Sequence, residues 1–180
     1  MKTNKVIICF MILIISANAF ENGHNKYLKT GIGLNYSKGL IGPAMITEYG
    51  YALKNNLFIS PRFMTSISLD EDLATKQNIH NAYYNLGLGL QYKFSSIEKV
   101  RIGIGGNLQL YSKIYLREYE NSNGEIHTSM SYVFDLLYSF YSSIDYDLIQ
   151  GKNIDFGIDG TINLGEFSSI SLLLYMRFKN

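Results

Sequence analysis

Ile170-Ser171-Leu172-Leu173-Leu174-Tyr175-Met176-Arg177-Phe178 places a large apolar side chain at every second position and finishes on an aromatic ring. Successive side chains of a β-strand point to opposite faces. Ile170, Leu172, Leu174, Met176 and Phe178 therefore share one face, and Ser171, Leu173, Tyr175 and Arg177 the other. The first face is uniformly apolar, while the second is mixed and carries a cation. Whether the uniform face meets lipid or a protein core decides the architecture, and the chain upstream holds the answer.

The same two-residue period recurs seven times before this segment. Leu28, Ile32, Leu34 and Tyr36 oppose Lys29, Gly31, Gly33 and Asn35. Met45, Thr47, Tyr49 and Tyr51 oppose Ala44, Ile46, Glu48 and Gly50, and Leu57, Ile59, Phe63 and Ile67 oppose Phe58, Ser60, Arg62 and Met64. Tyr84, Leu86, Leu88, Leu90 and Tyr92 oppose Asn85, Gly87, Gly89, Gln91 and Lys93. A fifth run, from Val100 to about Leu116, sets Ile102, Ile104, Leu108 and Leu110 against Arg101, Gly103, Gly105, Asn107 and Gln109. A sixth, Thr128 to Leu148, sets Phe134, Leu136, Tyr138 and Phe140 against Asp135, Ser139 and Tyr141, and a seventh sets Ile154, Phe156, Ile158 and Ile162 against Asp155, Gly157, Asp159 and Thr161. With 15 Tyr, 10 Phe and 16 Gly against two Pro, the composition favours strand over helix.

Eight such strands predict an all-β fold: an eight-stranded antiparallel up-and-down transmembrane β-barrel. A barrel of that size has an interior only wide enough to be filled by side chains. The large residues of the uniform face are too many to fit inside it, whereas the face rich in Gly, Ser and Asn can. Charge agrees with volume. The uniform face carries no Lys, Arg, Asp or Glu across the eight segments. The mixed face carries Lys29, Arg62, Lys93, Arg101 and Arg177 against Glu48, Asp135, Asp145, Asp155 and Asp159. A Lys or Arg on the lipid face at the bilayer midplane costs roughly 2–4 kcal/mol, so a bilayer demands this partition. Pairing among the interior ions is the expected structural outcome. A narrow polar path for small solutes is the functional alternative for them.

The N-terminus reads as a secretory signal peptide: Lys2 and Lys5, the apolar run Val6 to Ile15, then small residues ending at a cut after Ala19. The expected domains are residues 1–19, removed, and residues 20–180, the barrel. Ten apolar residues are too few for a membrane helix, and no later stretch reaches the 18 or more required. The single cysteine, Cys9, falls inside the leader, so neither disulfides nor a lipidated cysteine are expected. A net charge of +1 gives no reason to expect nucleic acid as a partner. With the N-terminus in the periplasm, the short turns at 54–56, 95–99 and about 149–153 are periplasmic. The long polar connections Asp70 to Asn81 and Arg117 to His127 are extracellular, as transmembrane barrels require.

On these residues the chain resembles the small eight-stranded outer-membrane barrels, OmpX-like proteins and the transmembrane domain of OmpA. The alternation ending at Phe178 is the most specific element, with Lys179 and Asn180 following the aromatic as a departure. The resemblance implies a monomer in the outer membrane of a Gram-negative bacterium, surrounded by lipid and lipopolysaccharide and inserted by the barrel-assembly machinery. It implies no wall-anchoring role, because it extends to the transmembrane domain of OmpA alone. A structural or adhesion-like role through loops 70–81 and 117–127 is the expected function, with a surface protein or host ligand as partner. The long fifth and sixth strands exceed the 9–11 residues needed to span a membrane. They should project with Tyr111, Tyr115, Tyr119 and Tyr132, offering a strand edge.

No catalytic, cofactor-binding or metal-binding residue is assigned, and no cofactor is expected. The enzymatic alternative rests on His127 and Ser129, a His-x-Ser element resembling that of lipid A deacylases, with Glu125 as orienting acid. His80 and His24 support no site. Asp70-Glu71-Asp72 with Glu118 and Glu120 supply hard oxygen ligands for a divalent cation, without matching the spacing of a ligand loop. The glycine pairs lie within strands and resemble no phosphate loop. A soluble lipocalin-like carrier would need the apolar face inward, against the volume argument.

Overall fold

The computed structural model describes residues 26–37, 39–72, 77–120 and 123–179, so the leader read from residues 1–19 lies outside the described residues. Eight strands follow one another: β1 (Lys26–Ser37), β2 (Leu40–Lys54), β3 (Leu57–Asp72), β4 (Gln77–Lys93), β5 (Val100–Glu120), β6 (Ile126–Gln150), β7 (Ile154–Gly165) and β8 (Ser169–Lys179). Each pairs antiparallel with the next, and β8 returns to pair with β1, closing the barrel. Closure leaves no sheet edge along the wall of the barrel. Among the described residues no helix is long and apolar enough to cross a membrane.

The faces divide as the alternation predicts. Leu34, Leu88, Ile104, Phe140, Leu172 and Leu174 are exposed on the outside, whereas Lys29, Glu48, Arg62, Asp145, Asp159 and Arg177 are buried inside. The first and last described residues, Lys26 and Lys179, sit at one end with the three short turns; this is called the terminal end below. Gly39 and Gly124 occupy tight turns at the opposite, far end, with φ of 84° and 79°. Both lie in the left-handed region, which a side chain would strain.

The two long polar connections are shorter than the sequence reading holds. Within 70–81, Asp70 pairs with Ile79, Glu71 with Asn78 and Asp72 with Gln77. Within 117–127, Arg117 pairs with Ser129, Glu118 with Thr128 and Glu120 with Ile126. Both segments are therefore mostly paired strand. The backbone ladder runs on past the apolar stretch.

Glycines inside the barrel are placed by close approach. A Cβ on Gly33 would lie 2.1 Å from the Leu172 carbonyl oxygen and 2.6 Å from the Leu173 Cα, both rigid backbone atoms, whereas one on the outward Gly106 would meet nothing nearer than 4.0 Å. Gly33→Ala is expected to destabilise the barrel by about 1–3 kcal/mol, the ordinary cost of overpacking. Gly106→Ala is expected to stay within about 0.5 kcal/mol of the parent. Urea unfolding of the two variants in detergent micelles, followed by the loss of heat-dependent gel mobility, checks the contrast.

Candidate functional site

The interior nearest the terminal end is an ion network drawn from every strand but β5. Lys29 of β1 reaches three carboxylates, Asp159 at 2.8 Å, Asp145 at 3.0 Å and Glu48 at 3.3 Å. Arg177 of β8 shares one of these and adds another, with Nη2 2.5 Å from Asp145 and Nη1 2.5 Å from Asp147. The Tyr175 hydroxyl donates to Asp147 as well. Arg62 joins through a relay: its Nη2 donates to Thr161 at 3.1 Å, and Thr161 donates to Asp159 at 2.7 Å. Its guanidinium also lies 4.4 Å from the centre of the Tyr141 ring. Glu48 accepts from Tyr27 at 2.8 Å and from Gln91 at 2.7 Å.

These ions are wholly withdrawn from water. Desolvation costs each several kcal/mol, which only close pairing and further hydrogen bonds offset. The arrangement is thus a packed electrostatic core whose parts depend on one another. Two of the charges read as interior are not: Asp135 is exposed and Lys93 is half-buried. Alternation places both on the inner face, but Lys93 ends β4 and Asp135 lies on the part of β6 that stands beyond its pairing with β7. Asp147 and Lys26 are buried instead. Asp147 follows Asp145 by two residues and is legible by carrying the alternation further. Lys26 begins β1, its ammonium 5.9 Å from the centre of the Tyr51 ring.

Above this network one side of the interior is apolar and the other polar, with Asn107 donating to Asn163 at 2.9 Å. Ala44, Ile46, Met64 and Leu173 form a buried cluster. Next to it Ser171 donates to Asn35 at 2.8 Å and Asn35 to Ser66 at 3.1 Å. The far mouth is crossed by rings: Phe167, from the turn between β7 and β8, stacks 4.4 Å from Tyr111, which lies 5.0 Å from Tyr83. Tyr111 is therefore buried within the mouth and does not project. The side chains at 115, 119 and 132 lie outside what the structure describes. Phe167, a turn residue outside any alternation, carries no sequence signal of its place among these rings.

At the far end the wall is uneven. β6 pairs with β7 only from Ser139 onward, while its segment Ile126–Tyr138 pairs with β5 alone. On the other side, β2 and β3 stop pairing at Ser66, so Ile67–Asp72 of β3 pairs with β4 alone. β3 to β6 thus form a four-stranded overhang with an open edge along β6. Val133 and Phe134, on opposite faces of that edge, are both exposed, at 40% and 62%.

The residues singled out for chemistry lie on the far-end hairpins. His127 Nε2 lies 3.7 Å from Glu125 on the exposed hairpin. Ser129 lies two residues along the same strand, on the same face as His127 and opposite Arg117. His80 pairs through its backbone position with Leu69 and Ile114. Asp70 to Asp72, Glu118 and Glu120 lie in paired strands, not in a loop that wraps a cation.

Removing one partner of a buried ion network leaves charge uncompensated, at about 3–5 kcal/mol. Lys29→Met should destabilise the barrel by that amount, and Lys152→Met, on an exposed turn, by less than about 0.5 kcal/mol. Denaturant midpoints of the two variants in one detergent check the difference.

No family model matches this sequence, and no curated protein matches it. Solved structures do. Ail, the attachment invasion locus protein of Yersinia pestis, superimposes with a TM-score of 0.57 at 8% identity, covering 88% of this chain and 100% of Ail. The Neisserial surface protein A gives 0.54 at 15% identity, covering 88% and 98%. A structure of Ail in complex with the heparin analogue sucrose octasulfate gives 0.53 at 9% identity, covering 88% and 100%. At these identities the likeness is one of fold, and the fold is that of the small eight-stranded outer-membrane barrels.

Proposed function

We propose that this protein is an integral outer-membrane barrel, non-enzymatic, whose function is carried by the overhang of β3 to β6 as a surface for binding another chain. The open edge of β6 over Ile126–Tyr138 is the observation that carries the reading. An unpaired edge offers a row of backbone donors and acceptors to which an extended segment adds as a further strand. The apolar belt supports the membrane location: the outward face is charge-free from Leu28 through Phe178 along the strands read above. The chain then enters with its leader removed after Ala19, the terminal end lies in the periplasm, and the overhang lies outside the cell. Lipid and lipopolysaccharide surround the wall, the assembly machinery recognises the strand ending at Phe178, and the protein works as a monomer.

The test replaces residues 117–128 with a two-residue Asn-Gly turn, which lowers the overhang and leaves the wall intact. The shortened protein should still fractionate with the outer membrane and shift in gel mobility on boiling. Cells displaying it should lose most adherence to cultured epithelial cells relative to the full chain. Undiminished adherence overturns the surface role, and recovery of the full protein in the soluble periplasmic fraction overturns the location.

A further inference from the structure

The ion network leaves one interior cation out. Arg101 of β5 is 5% exposed, and its Nε and Nη1 are buried without a hydrogen-bond acceptor among the described residues. Asp145, its partner in the β5–β6 register, is occupied by Lys29 and Arg177. Asp147 is occupied by Arg177 and Tyr175. The guanidinium instead turns toward the terminal end, 5.0 Å from the centre of the Tyr27 ring and 5.4 Å from that of Phe58. There it forms part of the wall of a recess of about 170 Å³ in the barrel mouth, shared with Lys26, Lys93, Lys179, Asn55 and Asn56. Lys179 also pairs with Asp155 at 2.7 Å.

We propose that this recess binds a phosphate group. Four cations from four strands converge on it, two side-chain amides add neutral donors, and the buried guanidinium lacks the acceptor that a phosphate supplies. Arginine's planar fork suits two phosphate oxygens at once, and lysine acts beside it as a point charge. The volume takes a phosphate with part of its hydration, more than the single water that would otherwise satisfy an orphan donor. Two sources share this chemistry: a soluble periplasmic phosphate compound, and the headgroup of an anionic phospholipid in the inner leaflet at whose level the recess opens. The lipid source rests on the membrane reading above, and the soluble one does not.

The full barrel, labelled with ¹⁵N-arginine in alkyl maltoside micelles free of phosphate, is titrated with inorganic phosphate. The chain has four arginines, so the Arg101 Nε–H signal is assigned by Arg101→Lys. It should move saturably, while that of Arg117 on the overhang stays still. Lys93→Gln, at the half-exposed rim where folding is not at stake, should weaken binding about tenfold, the loss of one charge-assisted contact. In a second arm the barrel is placed in nanodiscs with and without phosphatidylglycerol. A shift with that lipid, together with weakened response to added phosphate, identifies the headgroup as the source; a phosphate response unchanged by lipid identifies a soluble one. An Arg101 signal indifferent to both overturns the proposal, as does a phosphate affinity unchanged in Lys93→Gln.

Discussion

A closed sheet of eight strands has room inside for side chains and for little else, and every feature of this molecule follows from filling that space. The inward residues meet one another across the barrel, so each charge must find its partner among strands distant in sequence. Lys29 and Arg177 answer carboxylates from β2, β6 and β7. The glycines make the geometry possible. A Cβ on Gly50 would strike the Tyr27 ring, and one on Gly89 the Tyr141 hydroxyl. Small and large residues therefore alternate around the interior, as the taper of a small barrel demands. Outside there is no such reciprocity, and aliphatic side chains repeat with little variation.

This division explains which parts of the fold are legible in the sequence. Where one face is apolar and the other polar, the period of two is visible, and strand number, face and turn positions follow directly. Above the apolar belt the contrast disappears although the ladder continues. Asp70 to Asp72 and Arg117 to Glu120 look like loop because polar side chains suit both faces there. Height is equally hidden. Alternation says that Tyr111, Lys93 and Asp135 point inward, but not whether they lie in the filled interior, at the mouth or beyond it. That depends on strand tilt and stagger, which the pattern of one strand does not carry. Phe167 lies in a turn, where no period exists to read.

The uneven wall gives the two ends of the barrel different characters. On the low side, the short turn between β7 and β8 leans inward and lays Phe167 against the rings of Tyr83 and Tyr111 on the tall side. The mouth is closed by its own rim, and the taller wall is left free above it. The terminal end has no such lid, and its cations face outward around an open recess. The far end thus presents a backbone edge and side-chain surface, and the terminal end presents charge.

Lys29 belongs to the first strand of the barrel, and the carboxylates it neutralises lie 116 and 130 residues further along the chain. Its neighbour across the seam, Arg177, stands in the last strand. The counter-ion for β6 and β7 is therefore synthesised first and delivered last, when β1 meets β8. Until the ring shuts, Asp145 and Asp159 lack one of their cations, so an open seven-stranded curl is not a resting state for this chain. Joining the two ends thus brings Lys29 of the first strand and Arg177 of the last onto the same carboxylate, Asp145.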